Sequence, residues 1–126
     1  MNQWGELLPT LLEVCRVLGS LPRVESARRC QGPRPLLEGL RRRARSAPKR
    51  DPRGRERLRR AIRWVDAWIG GGNCYRRSLL EIALDRGAAA EPFLMGFTLA
   101  GEQLSGHAWV AAEGSSQANY QFTVQL

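Results

Sequence analysis

The chain has one histidine, His107, one lysine, Lys49, and no aspartate beyond Asp85. A histidine base therefore has a single candidate, and an aspartate partner for it cannot come from the 41 residues after Asp85. The three cysteines, Cys15, Cys30 and Cys74, are odd in number and form no close pair, which argues against a disulfide framework and fits a reducing, cytoplasmic setting. With His107 they also fail to supply the ligand pairs, about two to four residues apart, that structural zinc sites use. The longest apolar run falls well short of the roughly 20 residues that cross a bilayer. Residues Met1 to Pro9 lack the basic start and apolar core of a signal peptide. Neither membrane insertion nor export is expected, and there is no internal repeat or low-complexity tract.

What is present is a globular composition. The 126 residues suit one domain, 43% of them are apolar, and 25% are charged. The net charge of +8 is unevenly placed. Residues 1–63 carry 17 basic and 6 acidic side chains, a net of +11, while residues 64–126 carry 3 and 6, a net of −3. The stretch Arg41 to Arg63 alone holds 12 basic and 2 acidic residues. The basicity belongs to one half, and its sign first suggests a nucleic-acid partner.

Periodicity predicts helices first. Leu7, Leu8, Leu11, Leu12, Cys15 and Leu18 recur at helical spacing over Glu6 to Leu18, as the expected core face of a helix ended by Gly19 and Ser20. A short helix over Pro22 to Gln31 follows, then an interruption at Gly32-Pro33-Arg34-Pro35, a third helix over Leu36 to Arg45, and a solvated loop from Ser46 to Pro52. The clearest helix runs from Arg55 to Ile69 on a stripe of Leu58, Ile62, Val65 and Ile69, with Trp64 and Trp68 expected to pack it against a sheet. Gly70-Gly71-Gly72 must stop it. A further helix begins at Cys74, capped by Asn73 or Gly72, with Gly87 as its expected stop. Three strands are expected over 93–99, 107–111 and 120–124, with a turn at Gly101-Glu102. Helices followed by an antiparallel sheet make an α+β fold.

Cys74 is the residue this pattern places for chemistry. A cysteine in the first turn of a helix faces unpaired N–H groups and the positive end of the helix dipole, which favour thiolate over thiol. A nucleophilic thiol needs a base, and His107 lies on a predicted strand in the same half of the chain. The bland alternative, a buried cysteine and a structural histidine, stays open on composition alone.

The string Gly72-Asn73-Cys74-Tyr75-Arg76-Arg77-Ser78-Leu79-Leu80, with Phe93-Leu94-Met95-Gly96-Phe97 and Gly106-His107-Ala108-Trp109-Val110, resembles the leader peptidases of lasso-peptide biosynthesis. These form a transglutaminase-like branch of the papain-like cysteine proteases. The resemblance runs from about Trp64 to Tyr120. It implies a papain/transglutaminase-like core with the nucleophile at a helix N-terminus packed on a small antiparallel sheet. With the length fitting one domain over 1–126, residues 1–53 are expected to form a helical, Arg-rich region and 54–126 the peptidase core that the resemblance implies. By the resemblance Cys74 is the nucleophile and His107 the base, with no cofactor and no metal. The family's third member is usually an aspartate shortly after the histidine, and here that place holds Asn119. Papain-like enzymes use asparagine in this role, its carbonyl orienting the imidazole. Glu113 is a second candidate orienter. The backbone N–H of Cys74 is the expected oxyanion donor, with Asn73 a candidate for the second.

The activity so implied is removal of the leader from a ribosomally made lasso-peptide precursor. The implied partners are that precursor, a separate leader-binding protein, and an ATP-dependent, asparagine-synthetase-like cyclase. The helical first half does not look like the strand-rich leader-recognition domain of some relatives, so its Arg-rich face is either a docking surface or merely solvated. Two readings of other classes remain: a non-catalytic scaffold of the maturation complex, suggested by the missing aspartate, and an Arg-rich nucleic-acid-binding module. The latter is disfavoured because no aromatics are interleaved with the Arg run. Trp109 is either a shield for His107 or a core residue, and Arg76 and Arg77 either face solvent or pair with Glu81.

Overall fold

The computed structural model describes residues 4–110 and 122–126. Its elements are α1 (Trp4–Cys30), α2 (Pro33–Ala44), α3 (Pro52–Trp68), α4 (Cys74–Leu84), α5 (Arg86–Ala89), β1 (Phe93–Ala100), β2 (Gln103–Val110) and β3 (Phe122–Gln125). The helices precede an antiparallel sheet of order β2-β1-β3, so the fold is α+β, as the order of periodicities predicts.

Two expectations fail in α1. Gly19 and Ser20 do not end it, and Pro22 does not start a new helix; one helix runs through Pro9 and Pro22. An interior proline costs about 3 kcal/mol and a glycine about 1. Against this, Val14, Val17 and Val24 form one continuous buried line facing α3 and α4, which a break would lose. The second failure concerns the face. The buried residues of α1 are Thr10, Glu13, Val14, Val17 and Val24, whereas Leu7, Leu8, Leu11, Leu12 and Leu18 are exposed and so is Cys15. The helix is apolar on two sides, and the valine side is the one that packs.

In α2 the two prolines of the expected interruption lie in the first turn, where a missing N–H costs nothing, and Gly32 precedes them as the N-cap. Asp51 caps α3 by accepting the Gly54 N–H at 2.6 Å. The α3 stripe is Leu58, Ala61, Ile62 and Val65, all buried. Trp64 and Trp68 do not pack against the sheet. They stand one helical turn apart at 38% and 64% exposure, because the stripe is already filled by the smaller residues that face α1 and α4. Gly87 does not stop α4 either; Asp85 follows its last residue, Leu84, and caps α5 by accepting the Gly87 N–H at 2.9 Å.

β1 and β2 are joined by Gly101-Glu102, with Ala100 opposite Gln103 and a φ of +63° at Gly101, the geometry of a two-residue hairpin turn that needs glycine first. Opposite Phe97, a Cβ at Gly106 would stand 3.2 Å from the ring. Phe93, Met95, Ala108 and Val110 share one face of the sheet, and Leu94, Gly96, His107 and Trp109 share the other. Phe93, Ala108 and Val110 join the core cluster, which also includes Val17, Leu37, Leu58, Ile62 and Leu79. No helix among the described residues is long and apolar enough to cross a membrane.

Candidate active site

The turn before Cys74 uses the freedom only glycine supplies. Gly70, Gly71 and Gly72 have φ of +121°, +66° and +70°, and the Gly71 N–H closes back on the Asp66 carbonyl at 2.7 Å. Asn73 then caps α4: its Oδ1 accepts the Arg76 N–H at 2.9 Å. This cap fixes the oxygen end of the Asn73 amide and leaves the –NH2 end as a donor. Cys74 is the first residue of the helix, and the first bond of the helical ladder runs from the Arg77 N–H to the Asn73 carbonyl at 3.1 Å. The N–H groups of Cys74 and Tyr75 therefore have no partner within the helix.

α4 lies along the outer edge of β2. Phe93 exchanges both backbone bonds with Leu126, at 3.2 and 2.8 Å, so strand alternation turns Leu94 and its partner Trp109 toward each other and leaves Ala108 pointing outward. Two side chains one helical turn apart on α4 take up those outward groups. Cys74 Sγ accepts the Ala108 N–H at 3.3 Å, and Ser78 Oγ donates to the Ala108 carbonyl at 3.2 Å. A helix thus covers an edge that would otherwise be open to pairing. The peptide unit whose N–H meets the sulfur is the one that joins His107 to Ala108.

Cys74 and His107 are both half-buried. The residue opposite His107 on β1 is Gly96, so no cross-strand side chain competes for its position. Its ring stacks on Trp109, with centroids 5.6 Å apart and planes 17° from parallel. Trp109 is fully buried, which agrees with the core role, and its ring covers one side of the imidazole through this stacking. Asn119 and Glu113 lie outside the described residues. Cys15 and Cys30 are exposed and not part of this arrangement. No group of three or more His, Cys, Asp or Glu side chains that could hold a metal ion occurs among the described residues.

Sequence reasoning missed the ion cluster beneath the turn. Arg76 does not face solvent or pair with Glu81. It is buried and donates from Nε and from one terminal nitrogen to Asp66 Oδ1, at 3.0 and 2.5 Å, with Glu25 of α1 a further 3.6 Å contact. Glu81 is held instead by Arg55 and Arg59, at 3.0 and 2.8 Å. Asp66 belongs to the last turn of α3 and Arg76 to the first turn of α4, so their bond spans the glycine turn and pins both of its ends. The signal was present in the sequence: Asp66 lies four residues after Ile62 on the buried side of α3, where a carboxylate must be paired.

The family model described as Transglutaminase-like superfamily matches residues 18–124. None of the curated proteins or solved structures compared with the chain gives a significant match.

Proposed function

The chain belongs to the transglutaminase-like superfamily, and from that premise we propose that it is a cysteine peptidase that removes the leader from a ribosomally made lasso-peptide precursor, together with a separate leader-binding protein and an ATP-dependent cyclase. The observation that carries the peptidase reading is the hydrogen bond of the His107–Ala108 peptide N–H to Cys74 Sγ at 3.3 Å, made at a helix N-terminus. The finer assignment to a lasso-peptide leader rests on the resemblance of Cys74-Tyr75-Arg76-Arg77-Ser78-Leu79 and His107-Ala108-Trp109-Val110 to those peptidases.

In this reading His107 takes the proton of the Cys74 thiol and the sulfur attacks the carbonyl carbon at the leader–core junction. The negative oxygen of the tetrahedral intermediate meets the Cys74 N–H, which no helical partner occupies, and the –NH2 end of Asn73. Collapse expels the amine of the core peptide, which receives its proton from His107 and leaves the leader as a thioester on Cys74. Water, deprotonated by His107, then hydrolyses the thioester and frees the enzyme. Asn119 accepts the second imidazole N–H through its side-chain carbonyl and orients the ring, with Glu113 as the alternative.

The test mixes the protein with the leader-binding protein and precursor from its own biosynthetic cluster and reads the products by mass spectrometry. Cleavage at one bond by the wild type, none by Cys74→Ala, and a rate at least about tenfold lower for Asn119→Ala are expected. Cleavage that persists in Cys74→Ala, or no cleavage by the wild type with the partner present, would overturn the proposal. Equal rates for wild type and Asn119→Ala would remove Asn119 from the machinery.

A further inference from the structure

We propose that the trough between the C-terminal half of α1 and α2 binds a peptide segment that carries carboxylates beside aliphatic side chains. That this segment belongs to the peptidase's own substrate rests on the function proposed above; the preference of the trough for an acidic, aliphatic peptide does not.

The trough holds a hollow of about 530 Å³, within the size range of ligand pockets. Its floor includes Leu36 and Leu40, both buried, and Ala27; Arg23, Arg42 and Arg43 stand exposed around it. A second hollow of about 250 Å³ shares Arg23, Leu40 and Arg43 with the first and continues past Val24 and Ala47 to Ala83 on α4. The two make one elongated depression rather than a closed cavity, a shape that suits a length of chain. α1 carries it toward the site, because Glu25 on the same helix reaches Arg76, two residues from Cys74.

Charge decides what the depression takes. Nine arginines outside the depression, Arg16, Arg28, Arg50, Arg55, Arg57, Arg59, Arg63, Arg76 and Arg77, form ion pairs. The side chains of Arg23, Arg42 and Arg43 make no hydrogen bond or ion pair among the described residues, and all three line the same hollow beside Ala27, Leu36 and Leu40. A guanidinium fork matches a carboxylate with two parallel hydrogen bonds, and the floor takes aliphatic side chains. Nucleic acid fits less well, because no aromatic side chain lines either hollow to stack a base.

Cys30 lines the trough and Cys15 does not, though both are exposed, so the protein carries its own reporter and control. In Cys74→Ala, which needs no catalysis, the alkylation of each cysteine by iodoacetamide is followed by mass spectrometry with and without a peptide of alternating glutamate and leucine. At a peptide concentration about ten times its Kd, mass action predicts that Cys30 reacts about tenfold more slowly. Cys15 should react at its original rate. The protection should vanish in Arg42→Glu/Arg43→Glu and weaken in Arg42→Gln/Arg43→Gln, which keeps the bulk without the charge. It should survive in Arg53→Glu/Arg60→Glu, where exposed arginines outside the trough are reversed. A peptide of alternating lysine and leucine should not protect. The proposal is overturned if the acidic peptide leaves Cys30 unprotected, if it slows Cys15 equally, or if oligothymidylate protects Cys30 in its place. Because binding is read without cleavage, that failure would leave the peptidase assignment standing, and a failed cleavage assay would leave the trough standing.

Discussion

Asp66 and Arg76 face each other across the glycine turn, and their bond pins the end of α3 to the start of α4. A buried ion pair adds little net stability over an apolar pair, but removing one partner strands a buried charge at a cost of about 3–5 kcal/mol. Asp66→Ala should therefore lower the stability read by urea denaturation by about that amount, far more than the loss of an exposed pair such as Arg63 with Glu56. Nearby, the hydrogen bond from Arg28 holds the Glu25 carboxyl below its ordinary 4.5, with burial opposing it. A carboxylate with a lowered folded pKa contributes stability that is complete above its unfolded value and is lost as pH falls through the folded one. Glu25→Gln should thus cost up to about 1 kcal/mol at pH 7, and the difference from wild type should close in the acid range below 4.5. A difference that stays constant from neutral to acid pH would contradict this origin. The position of Cys74 was legible because Gly70 to Asn73 is a local signal for stop, turn and cap, and it needs no distant partner. The Asp66–Arg76 pair was not, since helical spacing along α4 pointed Arg77 or Arg76 at Glu81 and only the crossing of α3 and α4 redirects the guanidinium.

At the level of elements, periodicity found α3, whose buried stripe faces α1 and α4, as well as the helix α4 and the β1–β2 hairpin. It failed on α1, where two apolar stripes compete. The leucines are larger and more numerous, yet the valine line is the one that meets α3 and α4. The adjacent residues Val17 and Leu18 separate the two faces. Val17 is fully buried and Leu18 is 45% exposed. Val17→Ala should cost about 2 kcal/mol, from lost burial and the cavity left behind, while Leu18→Ala should cost less than about 1. Chemical denaturation of the two variants checks this, and the reverse order would mean that the leucine face is the packed one. The prolines of α2 show how a breaker can become a starter: at the first helical turn the lost N–H has no partner to lose.

Across the whole molecule, the excess positive charge changes meaning once the ion pairs are counted. Within Arg41 to Arg63, five arginines are tied to glutamates or aspartates and Arg41 is tied to the Glu91 and Leu126 carbonyls, so half of the twelve basic residues there hold parts of the fold together. The α+β order was legible from the change of period along the chain. The joining of Cys74 to the peptide unit after His107 was not, because it depends on α4 covering the edge of β2, a contact between segments more than thirty residues apart. That joining is the core of the account, and the alkylation rates of the three cysteines at neutral pH test it most directly. Burial alone would make the half-buried Cys74 the slowest, behind the exposed Cys15 and Cys30. If His107 serves Cys74 as its base, Cys74 should instead react at least about tenfold faster than either, and His107→Ala should erase the advantage while leaving the other two rates unchanged. A Cys74 that reacts most slowly in the wild type, with no response to His107→Ala, would contradict the account.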